Sequence, residues 1–185
     1  MEYQQALENY TLRMRKELQK ENIMGLRKLA NETIKDAALQ NSALLAKIAV
    51  LAYALHKLLT KEHVVENHFW LEQKLAISET IEKAEHELKE KNLKKFEREL
   101  NSVTVNLRAV DKELGVYVQS AYDKARVKYA ADAHYYGISL AQAAELLDVP
   151  KEDLQKYIGY TKQHDLEVDK KGITGRLEAL RSVLE

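Results

Sequence analysis

A stripe of apolar residues running from Leu93 to Ala121 limits what this chain can fold into more than any other feature. Leu93, Phe96, Leu100, Val103, Leu107, Val110, Leu114, Tyr117 and Ala121 are separated alternately by three and four positions. That spacing is the heptad pattern of a helix with a single apolar seam. A strand cannot use it, because strand side chains change face at every residue. The seam has to be covered by a second copy of the chain or by another helix of the same one. In the first reading Leu93, Leu100, Leu107 and Leu114 line a homodimeric zipper. The register places leucine at a and valine or an aromatic at d, the reverse of what favours two parallel strands. The flanking positions are also poor in complementary charge, with Asn92, Glu99, Asn106 and Glu113 on one side and Glu97, Thr104, Asp111 and Val118 on the other. A partner within the chain is at hand. Trp70, Ile77, Ile81, Ala84 and Leu88 line the preceding helix, and the polar stretch "ELKEKNLKKF" separates the two. An antiparallel helical hairpin is the preferred reading.

One proline and six glycines in 185 residues leave little to interrupt helices, so the expected fold class is all-α. Helices are predicted over 2–21, 24–38, 42–60, 65–91, 92–136, 139–147, 150–161 and 173–184. Asn22, Asn41 and Asn92 mark breaks, and Gly115 marks a bend or a close backbone approach. The chain divides on this reading into a helical bundle with a long hairpin, 1–136, and a helix-turn-helix-like module with a C-terminal amphipathic helix, 137–185. In that last helix Ile173, Leu177, Leu180 and Leu184 share one face.

The longest apolar run, Leu44 to Leu59, is interrupted by Lys47, His56 and Lys57. A membrane span needs about 20 mostly apolar residues, so this run reads as a buried central helix and no membrane contact is expected. The N-terminus lacks the basic segment and apolar core of a secretory signal. With no cysteine in the chain, thiol catalysis and disulfides are excluded, and a cytoplasmic location is expected. Lysine and arginine balance aspartate and glutamate at 29 each. Basic and acidic residues number 9 and 6 in 1–60, 8 and 10 in 61–100, 5 and 4 in 101–137, and 7 and 9 in 138–185. None of these segments carries the strong positive field that non-specific nucleic-acid binding requires.

No catalytic constellation, cofactor motif or metal site emerges. A di-iron carboxylate bundle needs Glu-x-x-His on two helices, and none of the six histidines has a glutamate three positions before it. The cluster Glu82, Glu85, His86 and Glu87 reads as a solvated helix face. Helical nucleases of the HEPN family carry Arg-x4–6-His. The nearest candidate is Arg126 to His134 in "RVKYAADAH", with seven intervening residues. Eight positions turn through about 800°, so the two side chains diverge by about 80° on a helix.

The stretch "GISLAQAAELLDVPKEDLQKYIGY", 137–160, has the layout of a helix-turn-helix. Ser139 and Gln142 fit a capping box, and Ala143 and Ala144 permit a close helix crossing. Asp148 tolerates the left-handed turn position, Val149 plugs the corner, and Pro150 opens the second helix. "SLAQAAELLDVP" resembles the helix-turn-helix modules of many regulators, in particular those of predicted archaeal and bacterial antitoxins that pair with PIN-type RNases. The resemblance covers about 25 residues and implies a DNA-binding regulator. Base readout would then fall to Lys151, Gln155 and Lys156, with Lys162 beside them. Glu152 and Asp153 would repel phosphate, which favours a protein partner instead. Seven of the ten tyrosines lie between 117 and 160. Tyr122, Tyr129 and Tyr136 recur every seven residues, while Tyr157 and Tyr160 lie on the second module helix. They read as a packing seam, as a docking surface or as a stacking platform. The leading expectation is a non-enzymatic interaction or regulatory protein that engages a protein partner through this module. DNA binding is the alternative, and a HEPN-like RNase the third reading.

Overall fold

The computed structural model describes residues 3–114 and 121–165. Tyr117, Gly115 and the predicted C-terminal helix with Ile173, Leu177, Leu180 and Leu184 lie outside the described residues. Within them all regular secondary structure is helical: α1 (Tyr3–Gln19), α2 (Ile23–Gln40), α3 (Ala43–Leu59), α4 (Glu62–Val65), α5 (His68–Lys89), α6 (Leu93–Glu113), α7 (Ala121–Tyr135), α8 (Leu140–Leu146) and α9 (Lys151–Asp165).

The junctions are made by asparagine and serine. Asn22 accepts a hydrogen bond from the Gly25 amide and opens α2, Ser42 accepts from Leu45 and opens α3, and Asn92 accepts from Lys95 and opens α6. Each side chain satisfies an amide that the first turn leaves without an intrahelical partner. Glu21, Asn41 and Lys91 stand in the left-handed conformation just ahead of these caps, at φ 51°, 48° and 56°. Asn67 accepts from Phe69 and starts α5. The helix predicted over 65–91 is α5, starting three residues later at His68, and a short helix, α4, precedes it over Glu62–Val65.

Helix α3 is the central element. Twelve of its residues are buried, among them Leu45, Ile48, Leu51 and Leu55, and it packs against α1, α2, α6 and α7. Burying side chains of this size is worth about 1.5–3 kcal/mol each, so Leu51→Ala would cost about 2–5 kcal/mol once the cavity is included. Helices α5 and α6 pack against each other across the turn at 90–92, and α1 packs on α5. Phe96, Leu100, Val103, Leu107 and Val110 of the heptad stripe are buried within the chain. Leu114 is half-buried and Leu93 partly exposed, so a zipper through Leu100 and Leu107 would have to open the bundle.

The stripe does not continue as one helix from 92 to 136. Helix α6 ends at Glu113, capped by Leu114, and α7 begins at Ala121. The Arg108 guanidinium donates to Asp123 at 3.0 Å, and the Ala121 amide donates to Asp111 at 2.8 Å. In a straight helix Arg108 and Asp123 would stand about 22 Å apart along the axis. The chain has folded back, and α7 lies against α2 and α3 on one side and α8 and α9 on the other.

Candidate functional site

Helices α7, α8 and α9 form a three-helix unit seated on the bundle through α7. Ser139 and Gln142 make both reciprocal bonds of a capping box at the start of α8. Asp148 takes the left-handed conformation between α8 and α9, at φ 49°. Arg126 reaches from α7 into that turn, donating through Nε to the Leu147 carbonyl at 2.8 Å and through Nη2 to Asp148 at 2.7 Å. His134 bonds through Nδ1 to the Ile138 carbonyl at 2.8 Å, tying down the other end of the same helix. The Arg126–His134 pair considered as a nuclease motif is thus occupied at two different turns, about 12 Å apart along α7 at the standard rise.

Between α3, α7 and α9 this arrangement opens a groove of about 590 Å³. Its apolar surface comes from the rings of Tyr53, Tyr157 and Tyr160 together with Ala121 and Val127. Four lysines line it, Lys57 from α3, Lys124 and Lys128 from α7 and Lys156 from α9, against the single carboxylate of Asp153. The Lys57 and Lys128 ammonium groups each lie 5.3 Å from the centre of the Tyr53 ring. Lys128 also lies 4.5 Å from that of Tyr129. A cation over a ring face gains about 0.5–1 kcal/mol at exposed sites, which holds these lysines along the groove wall. Lys128 is paired with Asp132 at 2.6 Å, and Lys156 with Asp153 at 3.9 Å. Burial, and then the charge of Asp132 and the neighbouring Tyr53, push the Tyr157 hydroxyl above the usual phenol range. The ring therefore enters the groove as a neutral hydrogen-bonding group. Charge and ring faces are what this groove presents, with no histidine and no paired carboxylates among the described residues of its walls.

The sequence-predicted residues divide sharply. Lys156, Tyr157 and Tyr160 line the groove. Lys151 and Gln155 are exposed elsewhere on α9, and Lys162 lies near the end of that helix with its side chain outside the described part of the structure. Tyr122 and Tyr129 are buried. The Tyr129 hydroxyl donates to Asn31 at 3.0 Å, and its ring meets Tyr53 edge-on at 5.2 Å. Burial pushes this phenol above its ordinary range too. Tyr136 follows the end of α7 and so leaves the face of Tyr122 and Tyr129. It is exposed and packs edge-on against Tyr135 at 6.0 Å. Tyr53, Lys57, Lys124 and Lys128 were not foreseen. The i, i+4 spacing of Tyr53 and Lys57, polar tips in a mostly apolar helix, was the available signal.

Among the described residues no helix is long and apolar enough to cross a membrane, and no group of three or more His, Asp or Glu side chains is placed to hold a metal ion. Comparison of the chain with protein-family models, with curated proteins and with solved structures found no significant match.

Proposed function

We propose that this protein is a non-enzymatic interaction or regulatory protein that docks an acidic segment of a protein partner in the groove between α3, α7 and α9. The observation that carries this reading is the composition of the groove. Three tyrosine rings supply an amphipathic floor, and four lysines, of which Lys128 is paired with Asp132 and Lys156 with Asp153, supply a positive rim. Tyrosine is enriched at interfaces because it buries a large area with few rotatable bonds and keeps a hydroxyl for hydrogen bonding. Lysine charges around such a floor steer acidic partners and reject basic ones. A segment that fits would carry aspartate or glutamate beside one or two apolar anchors.

Peptide display against the full chain tests this. The reading expects a selected pool rich in acidic residues with aliphatic or aromatic anchors, bound less tightly as salt is raised. A basic or uncharged pool would contradict it.

A second reading, a DNA-binding regulator, draws on the exposed Lys151, Gln155 and Lys156 on the helix that follows the α8–α9 turn. Glu152 and Asp153 stand exposed on the same first turn, where they would meet phosphate. A mobility shift on duplex DNA separates the two. Binding with a steep salt slope supports the regulator, and no shift at low salt removes it.

A further inference from the structure

We propose that a second, polar pocket, between α3, α6, α7 and the end of α8, binds the oxyanion group, phosphate or carboxylate, of a small molecule. This site is separate from the docking groove and does not rest on the function proposed for it.

The pocket has a volume of about 340 Å³, at the small end of the range for ligand sites. Its charges are sorted by depth. Lys47 is half-buried on α3, and the Arg126 side chain retains only 18% of its exposure. Arg108 stands nearer the opening, its guanidinium 5.4 Å from the Tyr122 ring centre. The three lining acids, Glu97, Glu145 and Asp148, are all exposed. Lys47 and Arg126 are therefore the more enclosed charges, while Arg108 and the three carboxylates are exposed.

The three cations differ in how well they are matched. Arg126 has Asp148 and the Leu147 carbonyl, and Arg108 has Asp123. Lys47 donates a hydrogen bond to the neutral amide oxygen of Asn101, and the favourable charge acting on it is that of the exposed Glu97. Burial, the dominant influence, and repulsion from Arg126 hold its amine below the usual lysine range, with Glu97 opposing. A half-buried ammonium without a close counter-ion is costly. An oxyanion at Lys47 would remove that cost, with Arg108, Tyr122 and the exposed Asn101 amide also lining the pocket. Asp148 already holds Arg126, so an entering ligand shares that guanidinium at the turn that sets α9.

The test is competitive acylation of the intact protein with trace acetic anhydride, followed lysine by lysine by mass spectrometry. Samples contain chloride, inorganic phosphate or malonate at matched ionic strength and mildly alkaline pH. The proposal expects saturable protection of Lys47, several-fold or more, by phosphate or malonate, while Lys57, Lys124 and Lys156 react as in chloride. Protection by phosphate alone assigns a phosphorylated ligand, and protection by malonate alone a carboxylate. Arg108→Gln, a change at the pocket mouth, should weaken the protection several-fold with the helical circular dichroism retained. No protection of Lys47, or equal protection of all four lysines, would overturn the proposal.

Discussion

Arg126 of α7 donates to Asp148 at 2.7 Å while its Nε holds the neighbouring Leu147 carbonyl at 2.8 Å, so one side chain fixes the turn from which α9 departs. The two bonds differ in worth. Asp148 is fully exposed, and a surface pair of this kind contributes about 0–1 kcal/mol. Leu147 is buried, and a buried carbonyl deprived of its donor costs about 1–3 kcal/mol.

Arg126→Ala should therefore destabilise the protein by about 1–3 kcal/mol, whereas Asp148→Asn should change stability by less than about 1 kcal/mol. Denaturant unfolding of both variants measures this. Equal losses would show that the carbonyl bond does not carry the turn.

The helical class, the central helix α3 and the α8–α9 turn were legible because each has a local signature: few breakers, a sixteen-residue apolar run, a capping box followed by Pro150. The fold-back between α6 and α7 was not. The three-four spacing of apolar residues passes through Leu114 and Tyr117 to Ala121 without interruption, and periodicity records which face is apolar, not whether the axis reverses. Of the Tyr122, Tyr129, Tyr136 repeat the first two are buried, and Tyr136 leaves their face because α7 stops at Tyr135. Of the groove, the α9 residues were visible because a recognisable module singled them out. Tyr53 and Lys57 were hidden in a helix that reads as core, and their pairing with Lys124 and Lys128 depends on tertiary packing alone.

Thr11 is completely buried, and its hydroxyl has no hydrogen-bond partner among the described residues. Thr11→Val keeps the shape and removes the unsatisfied group, so it should stabilise by about 1 kcal/mol. A lower midpoint in thermal or denaturant unfolding would contradict this.

Lys91 is exposed and left-handed, at φ 56°, in the turn between α5 and α6. A side chain in that conformation costs about 1–2 kcal/mol, partly offset in Lys91→Gly by the greater freedom of glycine in the unfolded chain. The variant should gain about 0.5–1 kcal/mol. Unfolding kinetics and equilibrium midpoints both report it, and a loss would show that Lys91 makes a favourable contact there.

His56 is buried on α3, with Nδ1 3.0 Å from the Ile23 carbonyl. Burial, aided by the nearby charges of Lys57 and Arg27 and opposed by the Ile23 bond, holds its imidazole below the ordinary histidine range. The unfolded chain binds this proton more readily than the folded one, so the contribution is fully present above about pH 6.5 and is lost as pH falls through the depressed folded value. His56→Gln should flatten the drop in unfolding midpoint on moderate acidification. An unchanged pH profile would assign the acid sensitivity elsewhere.

The docking groove itself is tested most directly by charge reversal on its exposed rim. Affinity for a display-selected acidic peptide is measured by isothermal titration for the native chain, for Lys124→Glu/Lys156→Glu, and for Lys151→Glu on the same helix outside the groove. The account predicts at least a tenfold loss, or about 1.4 kcal/mol, in the double variant and little change in Lys151→Glu. Retained affinity in the double variant, or a matching loss in Lys151→Glu, would contradict a partner site between α3, α7 and α9.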